Sequence, residues 1–444
     1  MKICMFTNTY LPHVGGVARS VSFFAEDLRK RGHQLMIIAP TFPGCEEHDR
    51  TEAGIFRVPA IQKFNGSDFS VRIPSPFLVD EQIDSFRPDI IHSHHPYLLG
   101  DAALRAARRR NLPLLFTHHT LYEEYAHYLS ENPDNMKRFA VFLSSNYANL
   151  CDRVIAPSES IRDLIRERGV DVPVTVIPTG TDIPFFAKGE GKGFRRKYDI
   201  PETSFVIGHL GRLAPEKNLD YLAKALVPVL KKEKDSRFLV AGAGPSADNI
   251  AQIFHGSGIR NRLVLTGKVT GQDLADAYQA MDIFAFSSLS ETQGMVLTEA
   301  MAAGVPVIAL DAPGAREVVR DGKNGRLLDR DAGEDQFADA VLDAMRESEK
   351  MLLWIKNAEK TALSFGRKKT VEKLQQLYAD AMREKQGEGN NKSGNLDLWD
   401  KFLLACNAEW ELAVQKAESV MQTVDETQEV VGLDESDESD ESYH

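Results

Sequence analysis

The chain has 444 residues, 43% of them hydrophobic, and a formal net charge of −12, enough for two or three domains and ordinary for a globular protein. The charge sits at one end: from residue 387 onward there are 15 Asp and Glu against 3 Lys and Arg, and the rest of the chain balances at 50 of each. A body without basic excess argues against nucleic acid as a partner, no apolar run is long enough for a transmembrane helix, and the scattered cysteines Cys4, Cys45, Cys151 and Cys406 give neither a zinc spacing nor a disulfide framework, as expected of a protein kept in a reducing cytoplasm.

The first residues, "KICMFTNTY", read as a core strand. A glycine loop follows, "LPHVGGVARS", then a helix with apolar periodicity up to Gly32 and a second strand, "HQLMIIAP". Strand, loop, helix and strand make a βαβ unit and imply parallel pairing. The alternation continues through "PDIIHSH", a helix over 98–110, "LPLLFTHHT", a long polar helix near 134–150, "RVIAPS", a helix over 158–168 and "VTVIPTG". The Gly-, Lys- and Pro-rich stretch 183–203 reads as a linker. A second series then runs through "SFVIGHLGRL", "RFLVAGAGP", "RLVLTGKV", "DIFAFSS" and "SSLSETQGMVLTEAMAAGVPVIA". The expected fold class is α/β, with two doubly wound Rossmann-like domains, 1–182 and 204–365, facing a cleft, and a closing helix at 366–386. Residues 387–444 read as a flexible linker, an amphipathic helix within 396–424 and an acidic disordered end.

Ligands in such sheets sit beyond the carboxyl ends of the strands, and the polar residues gather there. Gly15 and Gly16 follow the first strand; they serve either a tight βα turn or the close approach of a phosphate. Neither they nor "AGAGP" at 241–245 form G-x-G-x-x-G, which disfavours a nicotinamide dinucleotide. In "GRLAPEKN" (211–218), Arg212 and Lys217 are either surface cations or the two ligands of one diphosphate. His92, His94, His95, His118 and His119 fall in two strand-end turns. A metal is one reading of them; a single catalytic histidine among structural ones is the favoured reading, with no metal. Glu291 lies in the loop after "DIFAFSS" and Glu299 in the helix beyond it. Both suit hydroxyls, and the helix start between them offers free amides. Acids for hydroxyls, cations and glycines for phosphates together suit a nucleotide sugar.

The "SETQGMVLTEAMAAGVPVIA" stretch resembles the E-x7-E motif of retaining glycosyltransferases. With "GGV", "HHT", "VIPTGTD", "GRLAPEKN" and "LTGKV" in the same order, residues 1–386 resemble glycosyltransferase family 4. The resemblance implies the GT-B fold, a nucleotide-diphospho sugar donor linked to UDP or GDP, no cofactor or bound metal, and retention of anomeric configuration. It makes 1–182 the acceptor side and 204–365 the donor side. It implies that Glu291 binds the donor sugar, with the amides of Gly294, Met295 and Val296 nearby, and that Glu299 binds the ribose. Arg212 and Lys217 would hold the diphosphate, Gly15 and Gly16 would approach it, the Val269 backbone would meet the base, and His119 would be the active-site histidine. Gln293–Gly294 departs from the usual Phe-Gly.

The segment 118–135, with Tyr122 and Glu123, looks like that of bacterial diacylglycerol glucosyltransferases, so a lipid-type acceptor is expected, with Tyr122 and Glu123 as acceptor residues. A peripheral contact of the N-terminal domain with the inner face of a membrane goes with it. "ALRAARRRN" (103–111), with Arg105 and Arg108–Arg110, is the basic candidate for that contact or simply a solvated helix end. A phosphorylase-like enzyme on the same fold and a non-catalytic scaffold are the rival functions. The tail beyond 387 is expected to be dispensable for transfer.

Overall fold

The computed structural model describes residues 1–13, 15–61, 71–72, 79–124, 133–389, 408–409 and 411–420. The chain divides into two compact units, Met1–Ile177 with Val371–His444, and Pro178–Thr370.

The first unit holds strands β1 (Lys2–Phe6), β2 (Gln34–Pro40), β3 (Ile55–Val58), β4 (Ala60–Ile61), β5 (Val71–Arg72), β6 (Ile90–Ser93), β7 (Leu114–Thr117), β8 (Arg153–Ala156) and β9 (Val174–Val176). Seven form one parallel sheet in the order β3-β2-β1-β6-β7-β8-β9, while β4 and β5 form a short antiparallel pair. The strands are almost wholly apolar because both faces are covered. The pleat sends Cys4, Phe6, Ile91, Phe116 and Val154 into one core and Ile3, Met5, Ile90, Leu115 and Ile155 into the other. On the second face lie Val21, Phe24 and Leu28 of the helix Gly16–Lys30, together with Val371, Leu374 and Tyr378 of the helix Arg367–Gly389. The expected closing helix thus belongs, from Val371 on, with the first unit.

The second unit has six parallel strands, β10 (Phe205–Leu210), β11 (Ser236–Ala241), β12 (Leu263–Gly267), β13 (Ile283–Phe286), β14 (Val307–Leu310) and β15 (Gly325–Leu328), in the order β12-β11-β10-β13-β14-β15. Both sheets reverse direction beside their first strand, at β1/β6 and β10/β13. Such a reversal leaves a crevice at the strands' carboxyl ends, because successive crossovers go to opposite faces there.

The stretch 183–203 is not extended chain, as a linker would be. It forms helices Ile183–Phe186 and Gly191–Lys197, and Phe186, Phe194 and Ile200 are buried in the second unit's core. The aromatic and aliphatic residues spaced among its glycines and lysines account for this. Of the expected 396–424 helix, residues 408–409 and 411–420 are helical. Ala408 and Leu412 are buried, and Arg105–Glu409, Arg108–Glu411 and Lys416–Asp101 ion pairs tie this segment to the helix Leu99–Arg110.

Candidate active site

In the second unit the loops after β10 and β13 meet because those strands are neighbours in the sheet. Ser287, just past β13, donates its hydroxyl to the carbonyls of Lys217 and Asn218. Ser290 donates to the Glu216 carbonyl. So laced, the loops bring the Lys217 Nζ within 2.6 Å of Glu291 Oε1. Burial by itself would raise the Glu291 carboxyl. The charge and hydrogen bond of Lys217 outweigh it and hold the group below its ordinary value. Arg212 is directed to Glu216 instead, and its side chain is 47% exposed.

The helix Met295–Ala302 starts beside this pair. Its N-cap, Gly294, has φ 68°, and a Cβ there would lie 2.9 Å from Leu297. Glycine permits the sharp entry that turns the first amides, at Met295 and Val296, out of the helix. Gly314 packs so closely that a Cβ on it would come within 2.8 Å of Glu291 Cβ. Glu299 is buried one turn into the helix, and its Oε2 accepts from the Tyr278 hydroxyl at 2.9 Å. Val269 lies half-buried past β12.

Two participants, His209 and Tyr278, were not singled out from the sequence, and Gln293 was noted there only as a departure from the motif. His209 on β10 is fully buried and bonded to the Ala285 carbonyl, and burial pushes it down to about 4. Tyr278 orients Glu299. Gln293 accepts from the Thr179 amide at 2.7 Å and donates to the Thr179 carbonyl at 2.8 Å, so the polar residue at that motif position holds the "PTGTD" loop. Its occurrence where an aromatic is usual was the available signal.

In the first unit, Gly15 caps the helix Gly16–Lys30 with extended backbone, and no described atom lies within 4 Å of where a Cβ on Gly16 would sit. Across the β1/β6 reversal, the Asn8 amide donates to His95 Nδ1 at 3.0 Å and the Leu99 amide donates to Asn8 Oδ1 at 3.1 Å. His92 is held by Thr117 and Tyr378, each at 2.7 Å. His94 Nδ1 lies 2.9 Å from His119 Nε2. Burial first, then the neighbouring histidines, push both imidazoles well below 6.5, so they are neutral. The five histidines thus divide into structural members and the His94–His119 pair. Among the described residues no group of three or more His, Cys, Asp or Glu is placed to hold a metal ion.

Tyr122 packs edge-on against His118 and Tyr97, and Glu123 is ion-paired with Arg168 at 2.6 Å. Each arginine of the basic helix end is paired with an acid: Arg105 and Arg108 with Glu409 and Glu411, and Arg109 and Arg110 with Asp80, with Asp84 also on Arg110. No described helix is long and apolar enough to cross a membrane.

Two Rossmann-like domains with an acid–cation–helix-start site at a sheet reversal define a GT-B glycosyltransferase. Residues 14–184 match Glycosyltransferase Family 4 and residues 192–361 match Glycosyl transferases group 1. The chain is 32% identical to the alpha-monoglucosyldiacylglycerol synthase of Streptococcus pneumoniae, over 86% of each chain. It is 30% identical to the GDP-mannose-dependent alpha-mannosyltransferase of Mycobacterium tuberculosis, over 80% of this chain and 90% of that one. The fold is shared with the Anabaena protein HepE solved in complex with UDP: TM-score 0.71, 21% identity, covering 86% of this chain and all of that one. The chain belongs to glycosyltransferase family 4 and is a hexosyltransferase.

Proposed function

We propose that this enzyme moves a hexose, with retention, from a UDP- or GDP-linked sugar to the free hydroxyl of a diacylglycerol-type lipid. The carrying observation is the Lys217–Glu291 pair at the β10/β13 reversal, beside the helix start at Gly294. An ammonium has three donors. Lys217 can therefore keep Glu291 and still bind a diphosphate, while the second Glu291 oxygen accepts from sugar hydroxyls. Arg212, already turned to Glu216, is the second diphosphate ligand, and Gly15 and Gly16 allow close backbone approach. Glu299, oriented by Tyr278, takes the ribose hydroxyls, and the Val269 backbone takes the base. His119 is the active-site imidazole, and Tyr122 and Glu123 are assigned to the acceptor.

In the transfer step the anomeric C–O bond to the β-phosphate breaks and its electron pair stays on the phosphate oxygen. The acceptor oxygen forms the new bond on the same face of the sugar, and its proton passes to that phosphate oxygen. Charge grows on the diphosphate as the bond breaks, so fixed cations favour the transition state over the ground state. No step requires a metal. The relatives named as glucosyl-diacylglycerol synthases support the lipid acceptor, and with it a peripheral contact with a membrane surface.

The test is transfer of labelled hexose from UDP-glucose and from GDP-mannose to diacylglycerol in mixed micelles. A labelled glycolipid with the α-configuration is expected from one of the two donors. Hydrolysis without lipid product, or phosphate-dependent release of sugar phosphate, would refute the acceptor assignment.

A further inference from the structure

His94 carries no role in the transfer described above, yet its Nδ1 is hydrogen-bonded to His119 Nε2. The rings of the two histidines stack with centroids 5.2 Å apart and 27° between their planes. The His92 ring lies against His94, with centroids 4.1 Å apart and 38° between the planes. His92 cannot turn, because both its nitrogens are bonded, to Thr117 on β7 and to Tyr378 on the Arg367–Gly389 helix. His94 is itself fully buried, and its Nε2 has no hydrogen-bond partner among the described residues. The three imidazoles form a contiguous cluster held at the His92 end.

Two neutral imidazoles 2.9 Å apart share one proton between the facing nitrogens. If His119 Nε2–H were the donor, His94 would have to keep its own proton on Nε2, a buried N–H with no acceptor. If His94 Nδ1–H is the donor, the orphan on His94 is a lone pair. Buried donors left without acceptors are the rarer case, so the second arrangement is favoured.

We propose that His94 is the positioning residue of His119: its Nδ1–H donates to His119 Nε2, which fixes His119 as the neutral Nδ1–H tautomer and locks its ring plane. A fixed tautomer and ring plane leave the imidazole no reorganisation to make during transfer. The role in turnover rests on the reading that His119 acts in hexose transfer; the tautomer assignment does not.

The experiment compares His94→Leu, His94→Asn and His119→Ala in the full chain, using kcat and donor KM together with 15N spectra of histidine-labelled protein. Leucine removes the hydrogen bond. Asparagine keeps an amide where Nδ1 stands and can still donate. His94→Leu should lower kcat by about tenfold or more, corresponding to about 1.4 kcal/mol of barrier, with donor KM nearly unchanged and the His119 15N pattern shifted away from a single Nδ1–H form. His94→Asn should recover most of kcat and the wild-type tautomer. Equal losses in the two variants, or a His94→Leu protein with unchanged kcat and an unchanged His119 tautomer, would overturn the proposal. If leucine unfolds the first unit, His94→Asn decides: wild-type His119 tautomer supports the assignment and an Nε2–H form overturns it. An active His119→Ala enzyme would instead sink the reading of the site while the 15N spectra still judged the positioning.

Discussion

Lys217 and Glu291, 74 residues apart in the chain, form a 2.6 Å ion pair where the loops after two neighbouring strands meet. The motif containing Glu291 and the motif containing Lys217 are therefore one unit, and a change in either reaches the other.

Lys217→Ala should lower kcat/KM by about 100-fold, the scale for loss of one preorganised electrostatic group. Because the partners touch, Lys217→Ala with Glu291→Gln should cost less than the two single losses combined. A double-mutant cycle on donor kcat/KM reads this, and simple additivity would show that the pair plays no joint part in catalysis.

The pH profile follows from the same contact. Glu291 titrates below its ordinary 4.5 because Lys217 overrides the raising effect of burial. A depressed carboxyl contributes stability that is present above its unfolded value and lost as pH falls through the folded one. Wild-type activity should thus show no acid limb from Glu291 above about pH 4.5. Lys217→Ala removes the largest of the lowering effects and leaves burial opposed only by Ser288 and His209, so the acid limb of kcat/KM should move to higher pH. A limb that stays in place, or moves down, contradicts the assignment.

Glu299→Gln should weaken binding of the free nucleoside diphosphate by about 1.5–3 kcal/mol, the worth of a hydrogen bond to a charged group. Glu291→Gln should act mainly through the sugar, with a smaller effect on the free nucleotide transmitted by Lys217. Calorimetry of the nucleoside diphosphate against each variant separates them; equal losses would remove the division of labour.

Gly16→Ala offers a clean test of the glycine loop. The position has room for a Cβ and lacks a left-handed φ, so thermal stability should hold within about 0.5 kcal/mol. Donor affinity should nevertheless fall if a diphosphate approaches that backbone. Unchanged donor KM would free Gly16 from the site.

Deletion after residue 389 should leave turnover per folded molecule intact but lower the melting temperature. Burial of Leu412 contributes about 1.5–3 kcal/mol, and three ion pairs to Leu99–Arg110 go with it. An unchanged melting curve would mean that the segment does not stay docked in solution.

Much of this protein is written in its local patterns. Wholly apolar runs such as "KICMF" and "DIFAF" alternate with amphipathic helices, and that alternation alone implies parallel sheets covered on both faces. Strand-end placement likewise marked Gly16, His119, Lys217 and Glu291, because the crevice of such a sheet opens at the carboxyl ends of its strands. Tertiary structure decided which of these residues meet. Strand order places β10 beside β13 and so pairs Lys217 with Glu291 while Arg212 turns to Glu216. It also brings His92, His94 and His119 together, and sends the chain after Val371 back onto the first sheet to clamp His92 through Tyr378. The 183–203 stretch went the same way: its composition suited a linker, but Phe186, Phe194 and Ile200 found a core to bury in. Partners chosen across tens or hundreds of residues depend on sheet order and crossover geometry, and no local spacing encodes either.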